Sequence, residues 1–300
     1  MLDFVHPNME ARQMTPKPDK SRLPAWLLAC SLVFGGIAAH VQAADAQPPV
    51  FVWHDLVTPD TTSAKKFYSE VFGWTSRTGP DGSIVMDAQR RPVAAIYDSR
   101  ATADRPAARA QWVSAISSQD EKALESEIKA LGGSVLIPAK YLKGKGMQAV
   151  YRDPQGAVFS VLKPDKPISA KDPVKDGEFF WQDLFVKDPK AASEFYATLF
   201  GFEAHLEDIE GLSRVVLSSA DYSQAGIDKL PEGVQRAGWL PYVLVDDVPG
   251  TIRKAIANGG KSLVAPTGAL LSGKMAVIAD PSGAVIGLID WTEDAQGGQP

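Results

Sequence analysis

Apolar and polar positions follow two different periods along residues 50–99, and these periods predict the first secondary-structure elements. The run VFVWHDLV (50–57) is rich in β-branched and aromatic residues and predicts a strand. The apolar residues that follow have the spacing of one helical face: Ala64, Phe67, Tyr68, Val71 and Phe72. Asp60 offers a cap at the start of this helix and Gly73 ends it. SIVMDAQ (83–89) and VAAIYDS (93–99) then predict a hairpin.

The same order of elements occurs again in residues 111–162. QWVSAIS (111–117) predicts a strand, and DEKALESEIKAL (120–131) predicts a helix that Gly132 and Gly133 end. Three further strands are predicted, namely SVLIPAKYL, MQAVYRD and AVFSVL. The segment Lys143-Gly144-Lys145-Gly146 lacks the spacing of a phosphate-binding loop and predicts an exposed hairpin turn.

The whole arrangement is then repeated in the second half of the chain. WHDLVTPDTTSAKKFYSEVFGW (53–74) matches WQDLFVKDPKAASEFYATLFGF (181–202), and RDPQGAVFSVL (152–162) matches ADPSGAVIGLI (279–289). A nearly constant offset over this distance indicates a duplication. We therefore predict an α+β fold of two tandem domains. The predicted boundaries are 44–163 for the first domain, 164–177 for a Pro-containing linker, 178–292 for the second domain and 293–300 for a tail.

The first 43 residues have the pattern of an export signal. A basic run (15–22) precedes an apolar run (23–39), and small residues up to Ala43 complete a cleavage site. We expect cleavage before Ala44 and a periplasmic or extracellular protein. An uncleaved membrane anchor is the alternative, and Met14 offers a second possible start of translation.

Composition excludes several classes of protein. The chain of 300 residues has a net charge of −5, which argues against nucleic-acid binding because that needs clustered Lys and Arg. The one cysteine, Cys30, falls within the predicted signal. The mature chain is therefore expected to contain no disulfide and no Cys-rich zinc site.

The shared order of these motifs resembles the vicinal oxygen chelate superfamily of glyoxalases, bleomycin resistance proteins and dioxygenases. Each half has an FY pair on its first helix, GW or GF after it, and DP-x-G before its last strand. The resemblance covers about 50–163 and 178–292, and is closest to the tandem two-domain branch. It implies that each domain consists of paired βαβββ modules, which form an open curved sheet around a ligand cavity.

The resemblance also indicates where metal ligands would lie. Metal-dependent members use a His or Gln on the first strand of a module and a Glu on the last strand. The matching positions here are Trp53, Val113, Ser160, Trp181, Leu240 and Gly287. None of these is a competent ligand for a divalent metal, so we predict no metal and no cofactor. His54 lies one residue away from the ligand position, which turns its side chain to the other face of the strand.

Candidate ligand contacts follow from strand alternation. Trp53 and Asp55 share one face of their strand, as do Trp181 and Asp183. Three further candidates have aromatic side chains: Trp112, Trp239 and Tyr242. Each aspartate has an alternative structural role, in which it bonds to backbone or to a nearby Arg. The tryptophans likewise have an alternative role as ordinary core residues.

The favoured function is that of an exported, metal-independent protein that binds a small organic molecule. The first alternative is a lyase, isomerase or dioxygenase of the same superfamily. The second is a structural or interaction module without a working pocket. No nucleic-acid partner is expected, and no membrane contact after signal cleavage. The sequence leaves open whether the protein is an enzyme, which ligand it takes and how many copies associate.

Overall fold

The computed structural model describes residues 48–101, 109–118, 121–166, 173–209, 212–219, 222–268 and 271–291. The chain divides into the unit Met1–Ala44 and the unit Asp45–Pro300, which contains both repeats. The predicted signal peptide (1–43) and tail (293–300) lie outside the described residues, as do residues 167–172 of the predicted linker. No helix among the described residues has the length and apolar character needed to span a membrane.

Among its described residues, the first domain has eight strands and two α-helices. In chain order they are β1 (Phe51–Thr58), α1 (Thr61–Phe72), β2 (Thr75–Thr78), β3 (Ile84–Ala88), β4 (Arg91–Asp98), β5 (Gln111–Ser117), α2 (Glu121–Ala130), β6 (Ser134–Leu142), β7 (Gly146–Arg152) and β8 (Val158–Pro164).

The second domain repeats this order. Its elements are β9 (Phe179–Val186), α3 (Pro189–Phe200), β10 (Glu203–Ile209), β11 (Leu212–Ser219), β12 (Tyr222–Lys229), β13 (Gly238–Leu244), α4 (Val248–Ala257), β14 (Lys261–Val264), β15 (Met275–Ala279) and β16 (Val285–Ile289).

Each domain folds its strands into one eight-stranded mixed sheet, so the predicted fold class is confirmed. The strand orders are β2-β3-β4-β1-β5-β8-β7-β6 and β10-β11-β12-β9-β13-β16-β15-β14. Within each module the first strand pairs in parallel with the last, as β1 does with β4. The two modules of a domain join where their first strands pair antiparallel, β1 with β5 and β9 with β13.

The first sheet is curved rather than flat. β4 and β7 are four strands apart, which corresponds to about 19 Å on a flat sheet. Lys145, in the turn before β7, nevertheless places its Nζ 5.6 Å from the centroid of the Tyr97 ring on β4. Because side chains stand roughly perpendicular to a sheet, this approach requires the sheet to bend around its contents. We call the face that carries these two residues the inner face, and the face against the helices the helix side.

The first helix of each domain begins and ends as its sequence predicts. The carboxylates of Asp60 and Asp188 accept the backbone N–H of Ser63 and Ala191 and so cap α1 and α3. Gly73 and Gly201 end these helices in the left-handed conformation, with φ of 71° and 77°.

The two largest hydrophobic clusters lie on the helix side and join the two domains. One cluster combines Phe67 and Tyr68 of α1 with residues of the second domain such as Val248 and Ile286. A second cluster combines residues of α2, β7 and β8 with Phe195 and Tyr196 of α3. The helices α1 and α4 are therefore in contact, as are α2 and α3.

Two equivalent hydrogen-bond relays cross this interface. Trp112 Nε1 donates to the Tyr68 hydroxyl at 3.0 Å, and that hydroxyl donates to Asp280 of the other domain at 3.2 Å. In the duplicate relay Trp239 donates to Tyr196, which donates to Asp153 at 3.1 Å. The aspartate of each DP-x-G motif thus caps its own turn and also accepts a hydroxyl from the opposite domain.

Candidate functional site

The inner face of the first domain is built around Trp53 and Asp55 of β1. The register pairs Asp55 with Ala95 of β4 and Val113 of β5. Trp53 Nε1 donates to Asp55 Oδ1 at 2.8 Å. Asp55 is buried and Trp53 half-buried. A buried carboxylate at this position needs compensating charge and hydrogen bonds.

Lys145 supplies that charge from the turn between β6 and β7. Its Nζ lies 2.7 and 2.8 Å from the two oxygens of Asp55. Gln148 of β7 donates its side-chain amide to Asp55 at 2.6 Å and to the Ser160 hydroxyl at 3.1 Å. The side chain of Lys145 is only 10% exposed. The prediction of an exposed turn is therefore wrong for Lys145, because its side chain points inward and contacts the Asp55 carboxylate.

Two aromatic rings cover the ammonium group. Lys145 Nζ lies 5.1 Å from the centroid of the Trp53 ring and 5.6 Å from that of Tyr97. The Tyr97 hydroxyl donates to Asp81 at 2.9 Å, which orients its ring. Burial lowers the pKa of Lys145, although the Asp55 carboxylate acts in the opposite direction.

The second domain balances the equivalent carboxylate in a different way. Trp181 Nε1 donates to Asp183 at 2.7 Å, as in the first domain. The cation here is Arg214 of β11, whose guanidinium contacts Asp183 and also Asp228, the latter at 2.5 Å. Burial raises the pKa of Asp228 to about 6, against the opposing effect of Arg214.

Two strand glycines make room for these large side chains. A Cβ at Gly226 would collide with the Arg214 guanidinium. A Cβ at Gly287 would collide with the ring of Tyr242, which packs across it. Burial, together with the negative charge of Asp183, raises the pKa of the Tyr242 hydroxyl. An apolar cluster fills the rest of this inner face: Trp181, Val216, Leu240, Tyr242 and Ile289, packed with residues such as Leu271 and Met275.

The predicted site residues divide between the two faces. Trp53, Asp55, Trp181, Asp183 and Tyr242 lie on the inner faces, and their role as ligand contacts stays a prediction.

Trp112 and Trp239 lie on the helix side, apart from the other candidates, and their role as ligand contacts likewise stays a prediction. Trp112 pairs in register with Leu56, and Trp239 with Leu184, so strand alternation turns both away from the inner face. Both rings belong to the hydrophobic core and donate to the tyrosine hydroxyls of the relays.

His54 points to the helix side, as the strand register predicts. Its Nε2 lies 2.7 Å from the side-chain amide nitrogen of Gln182, and its ring stacks on Phe179 with centroids 3.6 Å apart. Gln182 Oε1 accepts the Ser114 hydroxyl, so its amide group donates to His54 Nε2. Burial lowers the pKa of His54 to about 3, which keeps the ring neutral.

The residues at the superfamily's metal positions do not fit a divalent metal. The Ser160 hydroxyl is bonded to Gln148, Gly287 lies under the Tyr242 ring, and Asp55 already contacts an ammonium group. Within the part of the chain that the structure describes, no three His, Cys, Asp or Glu side chains come close enough to hold an ion. The donor set is that of a charge-balanced polar network.

Sequence reasoning missed the residues that neutralise the two carboxylates. Lys145 lies in a turn, where alternation gives no direction, and its contact with β1 depends on the curvature of the sheet. Arg214 could have been singled out from the sequence, because it is a charged residue inside the strand run LSRVVLSS. Gly226 and Gly287 could also have been singled out, because a glycine inside a strand often indicates that another group packs closely against the backbone.

This fold and these two inner faces define a tandem two-domain protein with the vicinal oxygen chelate architecture. Residues 47–161 match the Glyoxalase/Bleomycin resistance protein/Dioxygenase superfamily, and the second half repeats the same topology. The first domain is therefore similar to members of this superfamily.

Relatives share the two-domain length. The glyoxylase-like protein CFP32 of Mycobacterium tuberculosis (strain CDC 1551 / Oshkosh) is 28% identical over 79% of this chain and 93% of its own. The anthracycline biosynthesis protein DnrV of Streptomyces peucetius is 28% identical over 82% of this chain and 94% of its own. The 2,3-dioxygenase LapB from Pseudomonas sp. KL28 has a similar structure, with a TM-score of 0.56 and 14% identity over 81% of this chain and 92% of that one. This last similarity shows the fold alone.

Proposed function

We propose that the protein binds a small organic molecule at the inner face of its first domain, without a divalent metal. The observation that carries this proposal is the buried Lys145–Asp55 ion pair beneath the rings of Trp53 and Tyr97. The family resemblance implies that metal-dependent members hold a metal ion at the positions of Trp53, Val113 and Ser160. Here the Lys145 ammonium has three N–H donors and directs two of them to Asp55, so the third can be donated to an oxygen atom of the ligand.

The accessibility of the aromatic residues favours the first domain over the second. Trp53 and Tyr97 are each half-buried, so a ligand can reach the outer edges of their rings. Trp181 and Tyr242 are buried, and apolar side chains pack around them. A planar ligand of low polarity suits the first site, because aromatic walls bury apolar surface and a few polar groups fix its orientation.

Native mass spectrometry of the metal-stripped full-length protein tests the proposal. The probes are small aromatic alcohols, aldehydes and carboxylic acids, added one at a time in the presence of a chelator. Lys145→Met removes the cation of the first inner face, and Arg214→Met is the matched control in the second. We expect one bound molecule per chain for at least one probe, with binding lost only in Lys145→Met. Equal loss of binding in both variants, or binding that requires added metal, would contradict the proposal.

We also propose that the mature protein is exported. The support is the basic and apolar pattern of residues 15–43, which lie outside the described residues. Sequencing the N-terminus of protein recovered from the periplasm or medium should give Ala44. A mature N-terminus upstream of Leu23 would contradict cleavage at this site.

A further inference from the structure

We propose that Lys145 is an imine-forming lysine, whose amine condenses reversibly with the carbonyl carbon of a small aldehyde lying against Trp53 and Tyr97. This inference rests on the proposed function, because it names the ligand class of the same site. It goes further by assigning a covalent step to a residue of this chain.

The first support is the position of the amine. Lysine side chains normally extend into water, whereas that of Lys145 is 10% exposed. Its Nζ lies at hydrogen-bond distance from both oxygens of Asp55 and within 5.6 Å of both ring centroids. The amine is therefore held beneath an aromatic surface and beside a group that can accept its proton.

The second support is the chemistry of a desolvated lysine. Burial disfavours the charged form of an amine, and lysines in such places serve as Schiff-base nucleophiles. Burial does lower the pKa of Lys145 here, with Asp55 as an opposing influence. Asp55 is itself held in place by Trp53 and Gln148, so it is positioned to relay the proton.

The step balances without any further reactant. The Lys145 ammonium gives a proton to Asp55, and the free amine attacks the aldehyde carbon to form a carbinolamine. Asp55 returns the proton to the carbinolamine hydroxyl, which leaves as water when the C–O bond breaks. The products are a protonated imine on Lys145, an ionised Asp55 and one water molecule.

The same turn provides an internal control. Lys143 is two residues from Lys145 but is exposed, and the site makes no use of it. A difference in reactivity between these lysines therefore measures the effect of the inner face rather than that of the local sequence.

The test is reductive trapping of the full-length protein with benzaldehyde and sodium cyanoborohydride, followed by peptide mass spectrometry. We expect benzylation of Lys145 to be several times faster than that of Lys143 and to saturate with benzaldehyde concentration. Benzyl alcohol, which has no carbonyl group, should compete with labelling at Lys145 and not at Lys143. Lys145→Arg should abolish the saturable labelling, whereas Lys143→Arg should leave it unchanged.

Labelling of Lys145 that is no faster than that of Lys143, or that increases linearly without saturation, would overturn the inference. These outcomes are read on the unmodified sequence, so the test stands even where Lys145→Arg folds poorly. Binding of benzyl alcohol by native mass spectrometry is a separate readout. If the alcohol binds and Lys145 is not trapped, the imine is wrong and the proposed function stands. If no probe binds and Lys145 is not trapped, both the proposed function and the imine are wrong.

Discussion

The two domains place the same Trp-x-Asp pair on their inner faces but balance its charge from opposite modules. In the first domain Lys145 approaches Asp55 from the second module, and in the second Arg214 approaches Asp183 from the first module. The carboxylate is thus common to both repeats, whereas each repeat has its own cation. The Trp-x-Asp pair alone therefore does not determine where a ligand binds, because the residues around it differ between the two domains.

Those surroundings decide which inner face is open. Ala115, paired with Ser160 in the first sheet, occupies the place that Tyr242 takes opposite Gly287 in the second. The larger ring and the apolar cluster around it close the second face. The first face keeps a polar network under two half-buried rings. The proposed ligand site is therefore assigned to the first domain and not to the second.

The largest expected effect comes from removing either cation. Lys145→Met leaves Asp55 buried without its partner, and Arg214→Met does the same to Asp183. Each variant should lose about 3–5 kcal/mol of unfolding free energy, because a buried charge is left unpaired. Chemical denaturation measures both. A loss below about 1 kcal/mol for either one would mean that its pair is solvated and weak.

The next effect is a pH dependence of stability that comes from a residue of the first domain. His54 of the first domain meets its repeat equivalent, Gln182, at the domain interface. Unfolded histidine takes up a proton near pH 6.5, whereas burial lowers the pKa of His54 to about 3 in the folded protein. The unfolded state therefore binds more protons in this window, and stability falls as pH falls from about 6.5 towards 3.

The matched variant is His54→Gln, which gives both repeats the same residue at this position. When the pH is lowered from neutral to about 5, the unfolding free energy of the wild type should fall by about 2 kcal/mol more than that of this variant. Urea unfolding at a series of pH values makes the comparison. Parallel pH profiles would show that His54 is not held neutral.

A third effect, of a size similar to that of His54, should be equal in the two repeats. Tyr68→Phe and Tyr196→Phe each remove the hydroxyl that links a tryptophan to an aspartate of the other domain. Each should cost about 1–3 kcal/mol, since a buried donor and a buried acceptor lose their partner. Thermal unfolding should show similar shifts for both. A large difference between them would break the symmetry of the interface relays.

Repeats and hydrophobic periods in the sequence predicted the two domains and the order of their elements, whereas the paired modules and the curved sheet were implied by the family resemblance. The matching segments 53–74 and 181–202 predicted the duplication, and the helix caps Asp60 and Gly73 lie where predicted. The residues that complete each inner face depend on curvature and on contacts between distant strands. Lys145 and Asp55 are 90 residues apart, and no local pattern brings them together.

The face of the sheet on which Trp112 and Trp239 lie could not be predicted for a similar reason. Their recurrence in both repeats was consistent with a pocket or with a core, and only the pairing register settles the face. Trp53 and Trp112 lie on adjacent strands, yet their side chains face opposite sides of the sheet.

The central proposal is that the inner faces bind no divalent metal, because Lys145 and Arg214 already neutralise Asp55 and Asp183. The most direct measurement is elemental analysis of the full-length protein after mild dialysis, with Mn²⁺ titrated into the same sample by calorimetry. The account predicts well under one metal ion per chain and no saturable heat of Mn²⁺ binding, because Asp55 and Asp183 are already paired. A stoichiometric metal ion, or saturable Mn²⁺ binding that Asp55→Asn abolishes, would contradict it.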